Sequence, residues 1–173
     1  YENEKSITEK QYINMIRLKT ATLIGFSLEL GGILSKMKDL DIKNLYKFGE
    51  FIGIGFQLQD DYLDVFGDRK FGKKIGGDIL LNKKTYLLIK LLKSTNEKEK
   101  IIINNWINNS NNPTKKIEVI TSLMKDKNID SITESVINDY FNKAFDYLKK
   151  IDIKNSQKNE LIEFSKKLIN RKN

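Results

Sequence analysis

The residues from Ile42 to Phe66 form one long apolar pattern that reads as helix, and it carries an unusual load of acid. Gln57-Leu58-Gln59-Asp60-Asp61-Tyr62-Leu63-Asp64 lies in its last turns. Each helical residue rotates by about 100°. With Asp60 at zero, Gln57 falls near about 60°, Asp61 near about 100° and Asp64 near about 40°. Three carboxylates and one carboxamide therefore share an arc about 100° wide. Like charges three and four apart repel by a few tenths of a kcal/mol per exposed pair. The helix dipole also disfavours negative charge at this end. A cation should compensate. Nearby lysines and solvent could do so, and so could a hard divalent ion. The chain has neither His nor Cys, and carboxylate oxygens alone suit Mg²⁺ better than zinc or copper. Mg²⁺ takes one or two carboxylates and completes its shell with water and phosphate. The residues thus point to a phosphate-bearing ligand bridged by Mg²⁺.

The 173 residues suffice for one domain with a core. Only 39% are hydrophobic, yet they fall in periodic blocks, so a fold is expected. No apolar run is long enough to span a membrane, and no signal peptide is visible. The lack of cysteine fits a cytoplasmic protein. Thirty-one basic against 23 acidic residues give a net charge of +8. The lysines are scattered and no nucleic-acid motif is present, so a solvated basic surface open to small anionic substrates is the better reading.

Thr8 and Gln11 form a capping-box pattern before a helix running towards Lys36. Tyr12, Met15, Ile16, Leu23, Phe26 and Leu30 make one apolar stripe along it, and Lys19 falls inside that stripe. Such a lysine must snorkel to water or meet an anion. Asp39-Leu40-Asp41 is placed to cap the next helix, the one with the acidic arc. Gly49, Gly53 and Gly55 within it predict close approach of another helix or of a ligand. Gly67 to Asn82 reads as a loop of glycines and lysines, built to close over an anion or simply to balance the aspartates. Lys83-Lys84-Thr85 opens a helix through Leu92, which puts Lys83 where a phosphate would sit. Further helices are expected over 97–107, 114–124, 131–148 and from Ser156, with Trp106, Phe164 and the other aromatics as core. No stretch alternates cleanly enough for a strand.

Phe56-Gln57-Leu58-Gln59-Asp60-Asp61-Tyr62-Leu63-Asp64 resembles the second aspartate-rich motif of the trans-isoprenyl diphosphate synthases. Lys19-Thr20-Ala21 resembles their upstream Lys-Thr element. Gly72-Lys73-Lys74-Ile75-Gly76-Gly77-Asp78 is similar to their Gly-Lys-x-x-Gly-x-Asp loop, and Lys83-Lys84-Thr85 to their Lys-x-Thr element. Tyr140, Ala144, Leu148 and the ending Leu168-Ile169-Asn170-Arg171 also match. The resemblance implies an all-α fold of the isoprenoid synthase type, with residues 1–173 as a single helical domain. It implies Mg²⁺-dependent condensation of isopentenyl diphosphate with an allylic diphosphate. Asp60 would be the direct metal ligand, with Asp61 and Asp64 binding directly or through water. Lys19, Lys83 and one of Lys73 and Lys74 would contact the allylic diphosphate. Thr20 and Gln57 would line the carbocation, and Asp78 would orient a loop lysine or act structurally. A homodimer is implied, with no nucleic acid and no stable membrane insertion.

The family's first aspartate-rich motif and its basic isopentenyl diphosphate site have no counterpart, for only 18 residues precede Lys19. The sequence therefore reads as the C-terminal half of a short-chain synthase, inactive when isolated. Beside a plain helical scaffold with a solvated acidic face, two rivals stay open. One is a non-catalytic subunit of a heteromeric synthase. The other is a terpene cyclase, which would turn over without isopentenyl diphosphate.

Overall fold

The computed structural model describes residues 7–67, 75–109 and 111–169. Every regular element among them is a helix. In order these are α1 (Glu9–Ile16), a π-helical segment (Arg17–Ala21), α2 (Thr22–Leu34), α3 (Asp39–Phe66), α4 (Gly77–Leu80), α5 (Tyr86–Ser94), α6 (Glu97–Asn109), α7 (Pro113–Asp126), α8 (Ile129–Lys149) and α9 (Asn155–Ile169). None of the helices is long and apolar enough to cross a membrane, among the described residues. The chain divides into two compact units. Of the described residues, those within 7–12 and 60–134 make one; those within 13–59 and 135–169 make the other.

The first unit is built around Val65, Leu87, Leu91, Ile103, Ile120, Met124 and Ile129, with Trp106 packed against them as expected. Its helix ends follow ordinary capping chemistry. Thr85 caps α5 by accepting from the Leu88 amide, and Asn112 caps α7 by accepting from the Lys115 amide ahead of Pro113 at the first helical position. The capping box at the start of α1 forms as the sequence predicts. The Thr8 amide donates to Gln11 Oε1 at 2.8 Å and the Gln11 amide to Thr8 Oγ1 at 3.2 Å.

The second unit rests on close helix approach through glycine. A Cβ on Gly53 would stand 2.6 Å from Ala21 Cα, and one on Gly49 2.9 Å from Gly25 Cα. On Gly55 it would stand 2.6 Å from the Phe141 ring. The glycines of α3 thus serve helix and side-chain packing. Phe51 stacks on Tyr147 of α8 at 5.5 Å between centroids and meets Tyr140 at a tilt, 6.0 Å away.

Several expectations need correction. The helix from Thr8 is not one uniform α-helix. At Arg17–Ala21 it widens by a π turn, with the Thr22 amide and hydroxyl both donating to the Arg17 carbonyl. One extra residue turns the phase by about 100°, so the apolar stripe does not continue straight. Tyr12 and Ile16 are buried, but Leu23, Phe26 and Leu30 are exposed, and the buried face of α2 is that of Gly25 and Gly32. Asp41 is no helix cap: it lies in the first turn of α3 and accepts from the Asp152 amide at 2.9 Å. The loop from Gly67 contains a helical turn, α4. Lys83 precedes the α5 cap instead of lying in its first turn. Helix α9 begins one residue before Ser156, so Ser156 is not its cap, and Phe164 is exposed while Ser165 is buried.

Candidate functional site

Within the first unit the last turns of α3 bring Asp60, Asp61 and Asp64 beside the α4 segment. Val65 is buried in the core of this unit and anchors this part of the helix. Gly76 sits at φ +83° with Ile117 packed against its Cα, and its amide donates to the Asp64 carbonyl at 2.6 Å. Only glycine fits that combination of left-handed backbone and crowding. The turn then delivers the Asp78 amide to Asp64 Oδ2 at 2.8 Å. Lys83 closes the group, its ammonium 2.6 Å from Asp78 Oδ1.

The electrostatics agree with the geometry. Burial pushes the Asp64 carboxyl up, and the Asp78 and Asp60 charges add to that, against the pull of the Asp78 amide and Lys83. Its hydrogen bond with Asp78 holds the Lys83 ammonium above its ordinary range despite partial desolvation, with Asp64 and Asp61 contributing. The cluster is thus an anion-rich surface in which one ammonium is already engaged.

Asp61 is set apart. It is buried, and its Oδ2 accepts a hydrogen bond from the hydroxyl of Tyr12, itself 4% exposed. Burial first, then the Asp61 charge, drives the Tyr12 phenol far above its ordinary range, so it stays a proton donor at any physiological pH. The sequence reading missed this partner, because Tyr12 sits in an apolar stripe. The available signal is that a buried tyrosine hydroxyl needs a hydrogen-bond partner. Replacing Tyr12 by Phe removes a hydrogen bond from a buried carboxylate, so a loss of about 1–3 kcal/mol in unfolding free energy is expected. Denaturant titration of Tyr12→Phe measures it, and an unchanged midpoint and slope would contradict the assignment.

The remaining predicted residues fall as follows. Thr20 donates its hydroxyl to Gln57 Oε1 at 3.2 Å within the second unit, so those two are brought together. Lys19 lies on the π segment and is exposed, as a snorkelling lysine should be. Lys73 and Lys74 lie outside the described residues, as do Asn170 and Arg171.

No group of three or more acidic, His or Cys side chains converges as a ready-made metal site among the described residues. The donor chemistry still fits Mg²⁺. Asp60 and Asp64 stand one helical turn apart and offer only oxygen, while one oxygen of Asp61 is committed to Tyr12. One or two carboxylates, with ligand phosphate and water, is the usual Mg²⁺ arrangement.

The sequence pattern of the polyprenyl synthetases matches residues 1–124. The chain belongs to that family. It is 33% identical over 165 residues to a geranylgeranyl diphosphate synthase of Saccharolobus solfataricus, covering 95% of this chain and 49% of that one. Among solved structures, a geranylgeranyl pyrophosphate synthase superposes with a TM-score of 0.88 at 32% identity, over 99% of this chain and 54% of that one. A geranylgeranyl pyrophosphate synthetase of Pyrococcus horikoshii gives 0.87 at 27% identity, covering 98% and 51%. This family member therefore spans about half the length of the relatives it matches. The all-α reading is borne out by its own helices and by theirs.

Proposed function

We propose that this chain is the C-terminal half of a prenyltransferase that condenses isopentenyl diphosphate with an allylic diphosphate. The observation that carries the proposal is the acidic group of α3 with Lys83 set against it, in a member of the polyprenyl synthetase family. In the reaction the allylic C–O bond breaks and diphosphate leaves. The allylic carbon then bonds to the isopentenyl double bond, and a proton is lost. Mg²⁺ would supply positive charge where the leaving diphosphate develops negative charge.

The chain's own residues divide that work. Asp60 and Asp64 would hold the metal, and Asp61 would support it directly or through water. Lys83, Lys19 and Lys73 or Lys74 bind diphosphate oxygens as mobile point charges. On this reading the Lys83 ammonium exchanges Asp78 for the diphosphate. Thr20 and Gln57 present hydroxyl and carboxamide oxygens to the positive allylic carbon. The active enzyme is proposed as a cytoplasmic homodimer, in keeping with the cysteine-free sequence and the resemblance.

A larger synthase also accounts for α2. Leu23, Phe26, Leu30, Ile33 and Leu34 are exposed on the face opposite Gly25 and Gly32. A helix that is apolar all round is normally covered all round. The half of the synthase that this chain does not span is the proposed cover.

The test is an assay of the complete enzyme with Mg²⁺ and an allylic diphosphate, with and without isopentenyl diphosphate. A longer prenyl diphosphate is expected only with both substrates. Hydrocarbon made without isopentenyl diphosphate would make the protein a cyclase. Turnover that appears only when a second, different protein is added would make it a subunit of a heteromer.

A further inference from the structure

Lys116 on α7 is 5% exposed, yet it carries an ammonium. Among the described residues its hydrogen-bond partner is the Asn82 side-chain oxygen at 2.5 Å, a carboxamide and not a carboxylate. Burial accordingly pulls its pKa below the usual lysine range. An ammonium out of water without a counter-charge costs stability, and a methionine would fill the same space without that cost. Fold stability is therefore a poor reason for a lysine here.

The contact leads to the Lys83 turn. Asn82 stands directly before Lys83 with φ +54°, a left-handed backbone that asparagine tolerates better than most residues. Its Nδ2 donates to the Ile107 carbonyl at 3.2 Å while its Oδ1 accepts a hydrogen bond from the Lys116 ammonium. The Lys83 amide donates back to the Asp78 carbonyl at 2.9 Å. Beneath the turn is a cavity of about 10 Å³ lined in part by Ile79, Ile107 and Met124.

We infer that Lys116 is a positioning residue: through Asn82 it fixes the turn that carries Lys83, and so sets where the Lys83 ammonium meets a diphosphate. This rests on the proposed role of Lys83. The ligand itself never touches Lys116.

The experiment is a double-mutant cycle on the complete enzyme, with inorganic pyrophosphate and Mg²⁺ titrated by calorimetry. Lys83→Ala should weaken binding by about tenfold, and Lys116→Met by about fivefold, within the range for residues coupled by contact. The melting temperature of Lys116→Met should be unchanged or higher. In the Lys83→Ala background, Lys116→Met should cost nothing further. Asn82→Gly, which keeps the left-handed backbone but loses the carboxamide, should reproduce the Lys116→Met loss. The inference is overturned if Lys116→Met leaves binding untouched, or weakens it equally with and without Lys83. Should the wild type ignore pyrophosphate, or Lys83→Ala bind it as well as the wild type, the reading of Lys83 itself fails and takes the inference with it.

Discussion

Replacing Asp60 by Ala is expected to lower Mg²⁺-dependent turnover of the complete enzyme by about three orders of magnitude, the equivalent of roughly 4 kcal/mol. Folding stability should hardly change. Asp60 stands on the last turns of α3 with Asp61 and Asp64, and no described group of carboxylates closes around a metal without help from the ligand. Its charge adds to the field that raises the Asp64 carboxyl and the Tyr12 phenol. Removing it relieves repulsion in the metal-free protein while deleting the proposed oxygen ligand in the loaded one. Steady-state kinetics with a Mg²⁺ series, paired with a thermal melt, separates the two effects. Near-normal turnover at saturating Mg²⁺ would remove Asp60 from the metal set.

The pH dependence of the same cluster has a fixed sign. Burial and its acidic neighbours raise the folded-state pKa of Asp64 above the unfolded value. Its contribution to stability is then present below the ordinary carboxylate pKa and is lost as pH rises through the folded pKa. At neutral pH the metal-free cluster works against the fold, and Mg²⁺ should offset it. The melting temperature should therefore rise on adding Mg²⁺ at neutral pH, and rise less as Asp64 protonates.

The second large effect concerns packing. Gly53→Val is expected to destabilise the protein by about 1–3 kcal/mol or more and to impair catalysis together with it. Even the first carbon of the new side chain would lie 2.6 Å from Ala21 Cα and 2.8 Å from Ala21 Cβ. Backbone cannot yield there without moving the π segment that carries Lys19 and Thr20. A melt of Gly53→Val that matches the wild type would show that this close approach does not exist. Gly31 offers a control in the same unit, since a Cβ there meets nothing within 4 Å.

These two positions show what was legible in the residues and what was not. Gly53 was readable because a glycine inside a helix is costly and asks for a reason. The acidic turns of α3 were readable because helical rotation alone brings Asp60, Asp61 and Asp64 together. The capping box of Thr8 and Gln11 is a short-range pattern and needs no tertiary knowledge. Three features escaped, each for a physical reason. A π turn has no composition of its own, and the apolar spacing from Tyr12 to Leu30 fits an unbroken α-helix as well. The bond between Tyr12 and Asp61 joins residues 49 apart in the chain, and an aromatic in an apolar stripe gives no hint of where its hydroxyl goes. Lys116 was invisible because one lysine among many reads as surface, and only burial reveals it.

On the proposed reading, α3 and Lys83 hold a diphosphate through a divalent cation. The most direct measurement is the binding of inorganic pyrophosphate to the complete wild-type enzyme, by calorimetry, with Mg²⁺ and with EDTA in its place. Saturable binding is expected with Mg²⁺, and a loss of at least about tenfold in affinity without it, since bare aspartates repel a bare diphosphate. Equal affinity in the two buffers would contradict it and leave the lysines as an ordinary anion site.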